Sequence, residues 1–137
     1  MEDKYKILVI DDEAAICGSL QTFFRFEDYE IETADGFTKA MNMARESDFL
    51  IYLLDLSMPD GDGQELIREI KKIRPTAQII IMSGFATQGK VLDCFREGAV
   101  DCIMKPFKDL ASVRERVDEA CARLSRLRRL FQNLPAG

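Results

Sequence analysis

Not one of the 137 residues is a histidine or a tryptophan. The lack of histidine removes the commonest general base, the commonest transition-metal ligand and any phosphohistidine chemistry within the chain, so its chemistry rests on carboxylates, hydroxyls and amines. Cysteine is scarce and scattered. Cys17, Cys94, Cys102 and Cys121 form no C-x-x-C pair, which argues against a zinc site or a disulfide framework and for reduced, mostly buried thiols. With eight glycines, four prolines and no low-complexity tract, the composition is that of one compact soluble domain. Long apolar runs are missing as well. The longest, Phe49 to Leu54, falls far short of the roughly 20 residues that span a bilayer, and Met1-Glu2-Asp3-Lys4 lacks a signal-peptide pattern, so a cytoplasmic protein without membrane contact is expected. The net charge of −5 argues against a nucleic-acid-binding surface over the whole domain.

What is present is an alternation of short apolar runs with segments of helical period. Lys6 to Ile10 is β-branched-rich and stops abruptly at Asp11-Asp12-Glu13, after which Ile16, Leu20, Phe23 and Phe24 recur at helical spacing. Tyr29 to Thr33 reads as a second strand. The next helix keeps Phe37, Ala40, Met41 and Ala44 on one face, with Asp35 its expected N-cap. Phe49 to Leu54, apolar at every position, suits a central parallel strand covered on both faces and runs into Asp55. A turn-rich loop, Met58 to Gly63, precedes a helix marked by Leu66, Ile67, Ile70 and Ile73. Ala77 to Met82 and Ala99 to Met104 read as strands four and five, with a helix between them that Gly98 ends. Five strands alternating with helices imply a doubly wound α/β domain with a five-stranded parallel sheet.

The last helix, expected over Leu110 to Leu134, is longer than such a domain needs. It would run about 37 Å, whereas covering a strand of five or six residues takes about 20 Å. Val113, Val117, Ala120, Leu124, Leu127, Phe131 and Leu134 follow a seven-residue repeat, core-facing as far as Leu124 and suited beyond it to a coiled-coil seam. We therefore divide the chain into a domain at 1–124 and a projecting helix or linker at 125–137, with homodimerisation through the last helix as its expected use. Six arginines against three carboxylates between 111 and 137 make this segment locally basic, as a solvated helix face often is.

In doubly wound sheets, ligands bind beyond the carboxyl ends of the strands. Strand one ends in Asp11-Asp12, strand three in Asp55, strand four in Ser83-Gly84 and strand five in Lys105-Pro106. Any one of these alone is more often a turn or surface residue; four strands delivering polar groups to one edge is the signal. Three neighbouring carboxylates repel one another unless a cation compensates, and an oxygen-only site points to Mg²⁺. Ser83 offers a hydroxyl and Lys105 a mobile charge, both suited to phosphoryl oxygens, so the set describes a phosphoryl-transfer pocket with Asp55 as nucleophile.

Ile-Leu-Val-Ile-Asp11-Asp12-Glu13, Leu-Leu-Asp55-Leu-Ser-Met-Pro59-Asp-Gly-Asp-Gly63, Ile-Met-Ser83-Gly84 and Lys105-Pro106-Phe107 together resemble the response regulator receiver domain of two-component signalling, over about residues 4 to 124. The resemblance implies the flavodoxin-like strand order 2-1-3-4-5 and Asp55 as phosphoacceptor. It implies Mg²⁺ on Asp12, Asp55 and the Ser57 backbone carbonyl, with Asp11 assisting through water. It also implies Lys105 and Ser83 against the phosphoryl group, and a cis Lys105-Pro106 peptide. The donor would be a histidine kinase, and the readout a shift of the helix 4, strand 5 and helix 5 surface toward an effector outside this chain, with transcription regulation the expected output. Such a domain catalyses its own phosphoryl transfer and slow dephosphorylation without being a turnover enzyme. One departure stands out: Cys102 occupies the position where the family usually carries Tyr or Phe. Two other functions fit parts of the pattern. An Mg²⁺-dependent phosphohydrolase would carry a second carboxylate two residues after its nucleophile, where this chain has Ser57. An assembly module that ignores phosphate would rest on the heptad seam alone.

Overall fold

The computed structural model describes residues 3–137. Elements follow in the order β1 (Ile7–Ile10), α1 (Ala14–Phe26), β2 (Ile31–Ala34), α2 (Phe37–Glu46), β3 (Ile51–Asp55), α3 (Gly63–Ile73), β4 (Gln78–Ser83), α4 (Gln88–Glu97), β5 (Asp101–Met104) and α5 (Leu110–Gln132). All five strands run parallel in one sheet of order β2-β1-β3-β4-β5, with Ile7 opposite both Ile31 and Ile51, and Ile51 opposite Gln78. This is the expected doubly wound architecture.

The unbroken apolar runs follow from burial on both faces. Leu8, Ile10, Tyr52, Leu54, Ile79 and Ile81 face α2, α3 and α4, meeting Ala40, Leu66, Ile67, Ile70 and Cys94. Their neighbours Ile7, Val9, Ile51, Leu53, Ile80 and Met82 face the opposite way, onto Leu20 and Phe24 of α1 and onto Val113, Val117 and Ala120 of α5. Each such side chain, fully removed from water, stabilises the fold by about 1.5–3 kcal/mol. Phe24 also meets Phe23 and Tyr29 edge-on, at 5.3 and 5.4 Å between ring centroids.

Several expected boundaries move. β2 and β5 begin two residues later than the apolar pattern suggests, because Tyr29 and Ala99, though buried, give their amides to the preceding helices: Tyr29 N–H donates to the Phe24 carbonyl at 2.9 Å and Ala99 N–H to that of Cys94 at 3.0 Å. β3 likewise begins at Ile51 rather than Phe49. At Gly98, φ is +119°, a left-handed C-cap that closes α4 at little steric cost.

Asp35 does not cap α2. Gly36 holds the N-cap position in extended backbone without a side-chain bond, and Asp60, from the β3–α3 loop, accepts from Phe37 N–H with both oxygens at 3.0 and 2.9 Å. A long-range residue thus does the work expected of a local one, tying that loop to α2. Asp60→Ala should cost about 1 kcal/mol, the usual worth of an N-cap, read as a lower urea midpoint at unchanged slope.

Burial along α5 ends at Leu124, but contact with the body continues. Ser125 Oγ lies 3.1 Å from the Tyr5 hydroxyl, Arg128 bonds Asp3, and Leu127 and Phe131 edge a groove against Tyr5 and Leu50. Leu130, Phe131 and Leu134 are each about half exposed. Among the described residues no helix is long and apolar enough to cross a membrane.

Candidate functional site

Strand order places the site. The chain leaves β1 into α1 on one face of the sheet and leaves β3 into α3 on the other, so the connections from the adjacent carboxyl ends of β1 and β3 diverge and open a crevice. Asp11 and Asp12 follow β1, Asp55 is the last residue of β3, and Lys105 follows β5.

The three aspartates each present an oxygen within 4.8 Å of the others, and they differ in exposure. Asp11 is fully buried; its Oδ1 accepts from the Glu13 amide at 2.9 Å and its Oδ2 from Lys105 Nζ at 2.7 Å. Asp55 is 4% exposed, and its Oδ1 accepts from the Ser57 amide at 3.1 Å while its Oδ2 lies 3.7 Å from Lys105 Nζ. Asp12 is open to solvent. Lys105 also reaches Glu13, at 3.3 Å, so one ammonium serves three carboxylates.

Protonation follows from this arrangement. Burial raises the Asp55 carboxyl above the usual carboxylate range; the Ser57 amide pulls it back, Asp11 and Asp12 push it further up, and Lys105 opposes them. Burial alone would lower the Lys105 pKa, but the hydrogen bond and charge of Asp11, together with Asp55 and Glu13, outweigh it and hold the ammonium charged. An excess of buried negative charge with one ligand-type carboxylate open to water is an arrangement that a hard, oxygen-seeking cation relieves.

Asp12, Asp55 and Lys105 edge a recess of about 500 Å³ whose walls are completed by Glu13, Ile16, Ser57, Gly84, Phe85 and Pro106, with Asp11 buried behind them. The Lys105-Pro106 peptide is cis. Ser83 stands apart. It is buried, and its Oγ accepts from the amides of Phe85 at 3.2 Å and Ala86 at 3.0 Å, so the hydroxyl is engaged by its own loop and borders a second cavity between α4 and β5. Asp11, Asp12, Asp55 and Lys105 are therefore assembled, Ser57 sits at the rim, and Ser83 needs to turn to join them.

Three wall residues were not expected at the site from the sequence: Glu13, Phe85 and Ile16, which was read only as part of the helical period of α1. Glu13 carried a usable signal, as the third acid after β1. Phe85 carried none, since an isolated aromatic in a loop has no period to read. Of the cysteines, Cys94 and Cys121 are buried, while Cys17 and Cys102 are half-buried. The Cys17 thiol donates to the Asp11 carbonyl at 3.3 Å, and burial followed by the Asp101 charge raises the Cys102 thiol pKa.

Comparison with known proteins agrees with this architecture. Residues 7–118 match the family model of the response regulator receiver domain. The chain is 30% identical over 120 residues to the transcriptional regulatory protein ZraR of Klebsiella oxytoca, covering 88% of this chain but only 27% of that protein. It therefore spans about a quarter of the length of such regulators. It is 32% identical over 123 residues to the chemotaxis protein CheY of Thermotoga maritima, covering 88% of this chain and 98% of that one. Among solved structures, the beryllofluoride-activated NtrC4 receiver domain dimer superposes with a TM-score of 0.81 at 30% identity, covering 86% of this chain and 97% of that one. On the extent of the family match and the strand order, the chain belongs to the response regulator receiver domain family of two-component signalling.

Proposed function

We propose that Asp55 accepts a phosphoryl group and that the aspartyl phosphate switches the protein between two signalling states. The observation that carries this is the pairing of a nearly buried carboxylate, Asp55, with a charged Lys105 and two further aspartates at the sheet's switch point. The oxygen-only donors fit Mg²⁺: Asp12, Asp55 and the Ser57 carbonyl would hold it, with Asp11 acting through water, and the ion would supply charge neutralisation at the phosphoryl oxygens. In the transfer, an Asp55 carboxylate oxygen bonds to phosphorus as the bond from phosphorus to the donor breaks. With a histidine kinase as donor, the electron pair leaves with the imidazole nitrogen; with acetyl phosphate it leaves with acetate. Lys105 moves from Asp11 and Glu13 toward the new dianion, and Ser83 turns its hydroxyl from the Phe85 and Ala86 amides to donate to a phosphoryl oxygen. Water later hydrolyses the acyl phosphate slowly, which releases phosphate and restores the Asp55 carboxylate, so the chain is the acceptor in its own switching cycle. Incubation with acetyl phosphate and Mg²⁺ should add one phosphoryl mass per chain; an unmodified protein at saturating donor would defeat the proposal.

The output proposed is control of an effector in transcription regulation, in the cytoplasm, read from the α4, β5 and α5 surface. Support comes from the ZraR relatives, which are transcriptional regulators, and from Leu92, Phe95 and Met104, exposed at 51%, 41% and 72% on that surface. Homodimerisation is the proposed means, supported by the NtrC4 receiver dimer. In the proposed division at residue 124, the segment from 125 onward is a linker helix. Of its expected seam, Leu127 and Phe131 edge the groove against Tyr5 and Leu50, and Leu134 lies past the end of α5 at Gln132, which leaves about one heptad, whereas stable coiled coils need about three or four. Light scattering should accordingly give a monomer without phosphodonor at micromolar concentration, and a larger dimer fraction with it.

The raised Asp55 pKa gives a pH-dependent prediction. Because the folded protein holds this proton more tightly than the unfolded chain, Asp55 contributes stability that is complete below the unfolded carboxyl pKa and lost as pH rises through the raised folded value. In metal-free buffer at neutral pH, Asp55→Asn should therefore melt at a higher temperature than the wild type, and the difference should shrink as pH is lowered toward 4. A variant less stable than wild type at neutral pH would contradict this.

A further inference from the structure

We propose that Glu13 is a positioning residue that draws the Lys105 ammonium away from Asp55 in the unphosphorylated protein and so restrains phosphoryl transfer. The inference rests on the phosphoacceptor role of Asp55 proposed above.

Glu13 occupies a position that usually has another use. It is the N-cap of α1, in extended backbone with φ −85° and ψ 108°, yet its side chain makes no capping bond. Three other helices are capped by side chains: Asp62 accepts from the Gln64 amide, Thr87 from that of Lys90 and Asp109 from that of Ser112. Short side chains suit this task, because their oxygen lies close to the amides of the first turn. A glutamate at the start of α1 forgoes the cap. Its carboxylate reaches instead to a residue 92 positions away, where Oε1 accepts from Lys105 Nζ at 3.3 Å.

That contact places Glu13 in competition with Asp55. Lys105 Nζ bonds Asp11 at 2.7 Å and Glu13 at 3.3 Å, and it stands 3.7 Å from Asp55, outside hydrogen-bond reach. Asp11 is fully buried, so its claim on the ammonium is part of the core. Glu13 adds a second anion from a side chain 60% exposed to solvent. A phosphoryl group arriving at Asp55 gathers anionic oxygens there and needs the same ammonium beside them. Serving Asp55 fully therefore means giving up Glu13. An ion pair this exposed shifts an equilibrium by no more than about fivefold, which restrains transfer without blocking it.

Two substitutions separate the hold on Lys105 from charge alone. Glu13→Gln keeps the length of the side chain, but its neutral amide holds an ammonium weakly. Glu13→Asp keeps the charge on a shorter side chain that turns back to cap α1. Intact-mass time courses with acetyl phosphate at saturating Mg²⁺ give the second-order rate constant of phosphorylation, and melting in metal-free buffer gives stability. Both variants should be phosphorylated about threefold faster than wild type. Glu13→Gln should melt within about 1 °C of wild type, and Glu13→Asp about 3 °C higher as α1 gains its cap. A rate raised alike in both variants while only one gains stability separates positioning from a structural role. An unchanged or lower rate in Glu13→Gln overturns the inference. A wild-type rate in Glu13→Asp beside a faster Glu13→Gln also overturns it, since negative charge in the recess, not the hold on Lys105, then sets the rate. Absence of the phosphoryl mass from all three proteins overturns the Asp55 reading and the inference with it, whereas equal phosphorylation of all three overturns the inference alone.

Discussion

Asp55→Asn should abolish phosphorylation by acetyl phosphate, with no phosphoryl mass gained under conditions that saturate the wild type. The substitution is nearly isosteric. An amide oxygen at the Oδ1 position still accepts from the Ser57 amide, a contact now 3.1 Å long, so the loop after β3 keeps its conformation. What disappears is the anionic oxygen that attacks phosphorus, and a neutral amide is no substitute nucleophile. Because the change removes a nearly buried charge flanked by Asp11 and Asp12, the variant should also fold at least as well as the wild type. Loss of activity with retained or increased stability separates a chemical role for Asp55 from a structural one. A phosphorylated Asp55→Asn protein would remove Asp55 from the account.

Removal of divalent metal should be almost as severe. A phosphoryl donor brings anionic oxygens toward three carboxylates, and Lys105, already divided among Asp11, Glu13 and Asp55, is among the described residues the one cation lining the recess. At an effective dielectric constant of about 20, a single like-charge pair at 4 Å opposes approach by roughly 4 kcal/mol. Preorganised charge stabilisation of this kind typically accounts for a factor of about 10²–10³ in rate for one group. EDTA should therefore slow phosphorylation by at least that factor, and added Mg²⁺ should restore it. Asp12→Ala should reproduce much of the loss at limiting Mg²⁺ and be partly rescued at high Mg²⁺, since Asp12 is solvent-exposed and its truncation leaves the core untouched. A rate indifferent to EDTA would mean that the acidic cluster works without a cation.

The sheet and the acidic pocket were legible because burial on both faces leaves little freedom: Phe49 to Leu54 cannot be a half-exposed strand, and a carboxylate directly after such a run has nowhere to go except the strand's open end. Asp11, Asp12, Asp55 and Lys105 were found in this way. Local reading failed where a distant residue does a local residue's work. Asp60 reaches α2 from 23 residues away, and no window around Asp35 contains that information. It failed also where buried apolar residues lie just outside strands, as Tyr29 and Ala99 do, because periodicity registers burial rather than ladder hydrogen bonding. The orientation of the Ser83 hydroxyl was beyond sequence altogether, being set by two amides of a loop whose residues carry no pattern. Cys102 shows the reverse: its identity was plain in the sequence, but the cavity beside it emerges only when α4 and β5 are in place.

The central claim is that one carboxylate among the twenty-four acidic side chains becomes a mixed anhydride with phosphate. Borohydride reduction traps it directly, because an aspartyl phosphate is reduced to homoserine while serine and threonine phosphates are not. After treatment with acetyl phosphate and Mg²⁺, the account predicts homoserine at position 55 and at no other aspartate. A phosphoryl mass that resists reduction, or homoserine at Asp11 or Asp12 in place of Asp55, would contradict it.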